Sequence, residues 1–90
     1  MLTEIAGLIV AHPELGTISV EGHTDVRGRR SFNLTLSQAR ADSVRSFLIE
    51  HGVPPERVQA KGFGSQHPLK LGNDEATNEI NRRVEFRLAP

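Results

Sequence analysis

The hydrophobic pattern of this chain changes its period within one short stretch. Residues 17–25, TISVEGHTD, alternate apolar and polar side chains, which is typical of a half-buried strand. After the turn VRGRR, apolar residues recur with helical spacing from Ser31 or Phe32 to His51, where Gly52 supplies a C-terminal stop. The pattern therefore predicts a strand that leads through a tight turn into a long helix.

Periodicity predicts four further elements around this unit. They are a helix at residues 3–11, a helical turn at 74–79 and strands at 57–64 and 82–88. Gly62 and Gly64 indicate a bend or a close approach of two backbone segments. The fold class is thus α+β: a small mixed sheet with two helices packed on one face, forming a single domain over residues 1–90.

The composition limits the range of partners. Eleven Lys and Arg balance eleven Asp and Glu, so the formal net charge is zero and no general attraction to nucleic acid or anionic lipid is expected. No apolar run approaches the roughly 18 residues of a membrane span, and no secretory signal is recognisable. The chain has no cysteine, which excludes disulfides and thiolate chemistry but does not define the compartment.

The predicted helix carries an arginine in an apolar stripe. Residues 33, 36, 40, 44 and 47 are spaced by three and four and therefore share one side of the helix. Arg40 lies on this stripe, and Asp25 ends the preceding strand. Two interpretations remain open: a structural ion pair between Asp25 and Arg40, or two separated charges that bind a zwitterion.

The motifs resemble those of a known family. The stretches EGHTDVRGRRSFNLTLSQARADSV, HGVPPERVQAKGFGSQHPL and NRRVEF follow in order, over roughly residues 15–90. They are similar to the OmpA-like peptidoglycan-binding domain that Pal lipoproteins and MotB stator proteins share. The resemblance implies a βαβαββ fold, here truncated to αβαββ because the chain begins at the first helix. It also predicts that the exposed sheet edge pairs into a homodimer or a strand-swapped oligomer.

The resemblance implies a function and a set of site residues. The domain is expected to bind the diaminopimelate of the peptidoglycan stem peptide, with Asp25 accepting from its ammonium and Arg40 binding its carboxylate. The other expected pocket residues are Thr24, Asn33, Leu36, Asn81 and Arg82. From the residues alone, Asn33 is also typical of a helix cap, Leu36 of the core, and Arg82 of a solvated strand face.

By the same resemblance, the domain tethers an outer-membrane or envelope protein to the wall in the periplasm. The type of parent protein, the affinity and the contribution of the basic turn at residues 27–30 are not predicted. This segment is not expected to insert into a membrane. The alternative function is a protein–protein assembly module of the envelope that does not bind the wall.

Other function classes have little support in the sequence. A hydrolase would depend on His23, Asp25 and Ser31. The sequence shows neither an oxyanion loop nor the second carboxylate of a glycosidase pair beside them. The four histidines are scattered with no metal-ligand spacing, so no metal site and no cofactor is expected; His51 and His67 are expected on the surface, and His23 is expected to orient the pocket. RGRR lacks interleaved aromatic residues, so nucleic acid is not an expected partner.

Overall fold

The computed structural model describes residues 1–89 and contains three α-helices and three strands in that range. In chain order these elements are α1 (Leu2–Ala11), β1 (Ile18–Gly22), α2 (Arg30–Glu50), β2 (Val58–Gly62), α3 (Glu75–Asn81) and β3 (Val84–Leu88). Short 3₁₀ turns at Pro13–Leu15 and Pro55–Arg57 precede β1 and β2. None of the described helices is long and apolar enough to cross a bilayer.

The sheet is mixed, with strand order β2-β1-β3. The central strand β1 runs parallel to β2, with Ile18 opposite Val58, and antiparallel to β3, with Val20 opposite Phe86. Helix α2 is the crossover between the two parallel strands and packs on the sheet. Strand β3 lies at one edge of the sheet, and pairing of that edge with a second chain stays a prediction.

Small residues at the contact allow helix α2 to pack closely on the sheet. A Cβ added to Gly22 would overlap the carbonyl oxygen of Ser37, and one added to Gly62 would overlap the backbone nitrogen of Gln38. Ser37 and Ala41 are fully buried at this contact. Because the helix backbone is in direct contact with the strand backbone here, the distance between α2 and the sheet is fixed. The close approach that the sequence predicted for Gly62 is confirmed.

The hydrophobic core lies between the helices and the sheet. Its buried members are Ala6, Ile9, Ile18, Val20, Ala41, Leu48, Val53 and Val58. Helix α1 joins this core through Ala6 and Ile9.

Arg57 stabilises the C-terminal end of α1. The Arg57 guanidinium donates to the carbonyl oxygens of Ile9 (2.6 Å), His12 (3.0 Å) and Gly16 (3.1 Å), at the end of the helix and in the turn that follows it.

The α+β fold with a small mixed sheet is confirmed, and three details of the prediction are corrected. Strand β1 ends at Gly22, so residues 23–25 form an extended loop instead of continuing the strand. Ser19, on the face of β1 turned away from α2, is only 4% exposed. Long charged side chains cover this face, and β1 is therefore buried on both faces. The helical turn expected near residue 74 is a third helix, α3, capped by the Asp74 side chain, which accepts from the Thr77 N–H.

The surroundings of Gly22 and Gly7 predict opposite effects of an alanine substitution on stability. Gly22→Ala is expected to lower the free energy of unfolding by about 2 to 3 kcal/mol, because the new methyl group forces the helix off the strand. Gly7→Ala is expected to raise it by about 0.5 to 1 kcal/mol, because the Cβ added in α1 meets no atom within 4 Å beyond its chain neighbours and the backbone of its own helix. Urea denaturation measures both, and equal effects would contradict the close contact.

Candidate functional site

The loop that follows β1 carries a buried carboxylate. Asp25 is 7% exposed, and the loop is fixed to its neighbours through backbone hydrogen bonds. The His23 N–H donates to the Arg83 carbonyl oxygen, and the Thr24 N–H donates to the Gly64 carbonyl oxygen, each at 2.8 Å. The buried Thr24 hydroxyl donates to the Asp25 carbonyl oxygen at 3.0 Å. Thr24 therefore shapes the loop that presents Asp25.

Two arginines bind the Asp25 carboxylate, and we call this arrangement of Arg27 and Arg82 on Asp25 the arginine clamp. The Arg27 backbone N–H donates to Asp25 Oδ1 at 3.0 Å, and its Nη2 donates to Oδ2 at 2.8 Å. Arg82 Nη1 reaches the same Oδ2 at 2.9 Å. Glu75, on α3, accepts from Arg82 Nη2 at 2.9 Å and lies 3.6 Å from Arg27 Nη1, so it holds both guanidinium groups from the solvent side.

The arginine clamp keeps Asp25 ionised. Hydrogen bonds from the Arg27 side chain lower the pKa of the Asp25 carboxyl well below its ordinary value, and those from Arg82 and the Arg27 backbone act in the same direction. Burial alone would raise that pKa, so the arginines outweigh desolvation. The two partners differ in accessibility, since the side chain of Arg27 is 53% exposed and that of Arg82 is 30% exposed. Arg27 is thus the more easily displaced partner.

Asn33 holds the turn that positions Arg27. Its buried amide Nδ2 donates to the Arg27 carbonyl oxygen at 2.9 Å and to the Asp25 carbonyl oxygen at 3.5 Å. The helix cap position belongs to Arg29, so the cap interpretation of Asn33 is wrong. Asn33 instead connects the first turn of α2 to the loop that carries the carboxylate.

Arg40 forms no hydrogen bond or ion pair with the residues of the arginine clamp. It is exposed on α2 and, among residues 1–89, its guanidinium forms no ion pair, so the interpretation of Asp25 and Arg40 as a structural ion pair is wrong. Arg40 lines an open groove of about 390 Å³ with Val44 and Val84. The side of α2 that faces the core passes through residues 33, 37, 41 and 48, which places position 40 at the edge of the buried face.

The other predicted site residues have mixed positions. Leu36 is half-buried and outside the set of buried core residues, which does not support the core interpretation. Arg82 belongs to the arginine clamp, so its assignment to a solvated strand face is wrong. Asn81 is fully buried: its Oδ1 accepts from the backbone N–H groups of Leu69 and Lys70, and its Nδ2 donates to the Lys70 carbonyl oxygen. Asn81 therefore organises the loop before α3, and a direct ligand contact for it lacks support.

His23 does not orient the pocket as the sequence suggested. Its ring stacks on Phe63 with centroids 5.4 Å apart, and neither ring nitrogen has a hydrogen-bond partner within residues 1–89. Burial lowers the pKa of His23, with the Arg83 charge acting in the same direction. Since both Asp25 oxygens bind other groups, the described residues contain no His23–Asp25 pair of the kind that a hydrolase would use. The surface positions expected for His51 and His67 are confirmed.

Sequence reasoning missed two functional candidates, Arg27 and Glu75. The sequence pattern presents Arg27 only as part of a basic turn, although an aspartate side chain commonly accepts from the backbone N–H two residues further along. Glu75 gave no usable signal, because its approach to Arg27 depends on where α3 lies relative to β1. That placement is a long-range property of the fold.

The whole arrangement of strand end, turn and helix matches a known family. The family model described as the OmpA family matches residues 1–82. The chain belongs to the OmpA family. Among its relatives, the peptidoglycan-associated lipoprotein of Legionella pneumophila is 38% identical over 81 residues, covering 90% of this chain and 46% of the lipoprotein. Outer membrane porin F of Pseudomonas fluorescens is 44% identical over 68 residues, covering 76% of this chain and 21% of the porin.

Solved structures of OmpA-family domains share the fold. The peptidoglycan-associated lipoprotein from Burkholderia pseudomallei superposes with a TM-score of 0.89 at 38% identity, covering 94% of this chain and 71% of that structure. The C-terminal domain of Helicobacter pylori MotB gives a TM-score of 0.90 at 28% identity, covering 99% and 69%. The chain thus spans less than half of the Legionella lipoprotein and most of the solved domains.

The lowered pKa of Asp25 predicts a pH-dependent contribution to stability. The folded state favours the carboxylate, so its contribution to stability is complete above the ordinary aspartate pKa of about 4. This contribution is lost as the pH falls toward the lower pKa of Asp25 in the folded state. Asp25→Asn is expected to lower the free energy of unfolding by about 1 to 2 kcal/mol at neutral pH. The difference from the parent chain should shrink between about pH 4 and pH 2 in urea denaturation. A difference independent of pH would contradict the role of the carboxylate charge.

Proposed function

We propose that this domain binds peptidoglycan without covalent chemistry and thereby anchors a larger envelope protein to the cell wall in the periplasm. Membership in the OmpA family supports the proposal, and the similarity to lipoproteins described as peptidoglycan-associated supports the choice of partner. The similarity to an outer membrane porin and to a MotB domain supports an envelope location.

The observation that carries the proposal is the ionised, buried carboxylate of Asp25 behind a half-exposed guanidinium. A buried carboxylate attracts a cation strongly, because little solvent screens it. A ligand ammonium that replaces Arg27 at Asp25 Oδ2 restores the lost ion pair, while Arg82 keeps the second contact. The exchange therefore leaves no buried charge without a partner.

The ligand chemistry that fits best is the free end of diaminopimelate, an ammonium and a carboxylate on one carbon. Asp25 accepts from the ammonium, and the exposed guanidinium of Arg40, which has no ion-pair partner within residues 1–89, binds the carboxylate. The groove beside Arg40, lined by Val44 and Val84, offers apolar surface for the aliphatic part of the side chain. Leu36 is on the same side of α2 as Arg40 and extends this surface.

The expected affinity of one domain is modest. Two charge-assisted contacts contribute about 1.5 to 3 kcal/mol each, and association costs and the displacement of Arg27 reduce the total. Many copies facing one polymeric wall raise the overall retention without any new contact. Stable anchoring therefore follows from multivalency, and we propose that the domain catalyses no reaction.

Retention on purified wall tests the proposal. The parent domain should sediment with diaminopimelate-type peptidoglycan, and Asp25→Ala and Arg40→Ala should each reduce the bound fraction by at least about fivefold, because each removes one of the two charged contacts. Lys70→Ala, which removes an exposed cation elsewhere, is the matched control and should bind like the parent. Equal retention of all four proteins would contradict the site and indicate nonspecific or other binding to the wall, whereas no retention of the parent domain would favour the assembly function.

The same assay on lysine-type wall separates diaminopimelate recognition from general wall binding. The lysine stem has an ammonium but lacks the adjacent carboxylate, so Arg40 is left without its partner and retention should fall. Indifference to wall type would contradict diaminopimelate recognition while leaving peptidoglycan binding in place.

Displacement of Arg27 predicts a substitution that improves binding. Arg27→Ala frees Asp25 Oδ2 from one competitor, so the affinity for a soluble diaminopimelate-containing stem peptide should rise about two- to fivefold in calorimetry. Arg29→Ala is the control, because Arg29 is exposed in the same turn and forms no ion pair within the described residues. A loss of affinity in Arg27→Ala would mean that Arg27 itself binds the ligand and would contradict displacement.

A further inference from the structure

Two glutamates face each other across the strand pair β1 and β3, on the sheet face turned away from α2. Glu21 lies directly opposite Glu85 in the antiparallel register, and both side chains are largely shielded, at 15% and 22% exposure. Like charges in directly opposed positions are destabilising. This pair therefore requires compensating cations close to both carboxylates.

A buried histidine completes the group. His23 follows Glu21 by two residues on the same face and is 3% exposed, with neither ring nitrogen hydrogen-bonded to any described residue. Its Nε2 lies 3.7 Å from Glu85 Oε2, and stacking on Phe63 fixes the orientation of the ring. A buried ring nitrogen without a partner is costly in a folded protein, which calls for an explanation.

We propose that Glu21, His23 and Glu85 form a binding site for a divalent transition-metal ion of the zinc class. One ligand atom from each of the three side chains lies within 4.8 Å of the other two. Ligand distances near about 2.0 to 2.2 Å place tetrahedral ligand atoms closer together than this, so side-chain rotations must close the site around the ion. One imidazole nitrogen and two carboxylate oxygens suit zinc and leave a fourth position for water.

Two neighbouring arginines, Arg83 and Arg87, bind the glutamates and determine how an ion can enter the site. Arg83 donates to Glu85 Oε2 and also to the carbonyl oxygens of His67 (2.8 Å) and Asn81 (3.3 Å), so it is fixed in place. Arg87 is 63% exposed and bridges the two glutamates, with Nε 3.0 Å from Glu21 Oε1 and Nη2 2.6 Å from Glu85 Oε1. The ion replaces Arg87, which turns to solvent, while Arg83 stays hydrogen-bonded to a ligating carboxylate.

This site is independent of the proposed wall-binding function. Glu21 and Glu85 lie within the sheet, whereas Asp25 and its arginine clamp lie in the loop beyond β1. Spacing of the histidines along the sequence did not predict the site, because only His23 contributes and the two glutamates come from strands that are distant in sequence. The register of β1 with β3 is what brings the ligands together.

Calorimetric titration of the intact domain with Zn²⁺ alone tests the proposal. We expect one ion per chain, with the affinity reduced by at least about tenfold in His23→Gln, Glu21→Gln and Glu85→Gln. Arg87→Gln should raise the affinity by about tenfold, because it removes the competing cation. His12→Gln is the control, since His12 pairs with Glu14 on the surface and should leave the titration unchanged.

Circular dichroism of each variant separates loss of a ligand from loss of the fold. If His23→Gln does not fold, the two glutamate variants and Arg87→Gln decide, since their side chains are not fully buried. Absence of Zn²⁺ binding to the parent chain would overturn the proposal. Binding that survives all three ligand substitutions would overturn it as well, and its loss in His12→Gln would then assign the ion to the surface.

Discussion

The arginine clamp on Asp25 is the interaction on which the candidate site depends. A carboxylate that is 7% exposed would be protonated or expelled without cations beside it. Arg27, two residues along the chain, and Arg82, from a distant part of the chain, supply these cations. Arg82 connects the loop after β1 to the end of α3, and Glu75 holds both arginines from outside. The clamp thus stabilises the fold locally and also occupies the position that a ligand cation would take.

The fold positions this clamp through contacts that leave little freedom. Gly22 and Gly62 bring α2 directly onto β1 and β2, so the first turn of α2 lies beside the end of β1. From that turn, Asn33 bonds to the backbone of Asp25 and Arg27. The geometry around the carboxylate is therefore built on rigid elements, which favours a site that discriminates between ligands by charge arrangement.

Local patterns in the sequence were sufficient for most of the fold. The boundaries of α1, α2, β2 and β3 differ from the predicted ones by one or two residues, because periodicity and the Gly and Pro stops are local signals. Alternation of apolar and polar residues continues through residue 25 and did not predict the end of β1 at Gly22, although the Thr24 N–H still donates to the Gly64 carbonyl oxygen in line with the β1–β2 register. The burial of Ser19 also depends on side chains from other strands, which periodicity does not describe.

The candidate site was only partly predictable for the same physical reason. Motif spacing and family resemblance pointed to the loop that carries Asp25, and Arg82 was expected nearby. The spacing of Asp25 and Arg27 offered a local signal for their contact. The role of Glu75 and the burial of Asn81 depend on long-range geometry and were not visible in the sequence. Arg57, part of the motif that suggested the family, caps α1, a structural role that the motif alone did not reveal.

The most direct measurement is an NMR titration of the arginine guanidinium N–H signals, Nε–H and Nη–H, with a soluble stem peptide that ends in diaminopimelate. In the free domain, the Arg27 and Arg82 signals should be protected from exchange by their bonds to Asp25. On saturation, we expect the Arg27 signal to lose this protection, the Arg40 signal to gain it and the Arg82 signal to remain protected. A saturated complex in which Arg27 stays protected and Arg40 does not change would contradict cation exchange at Asp25 as the basis of recognition.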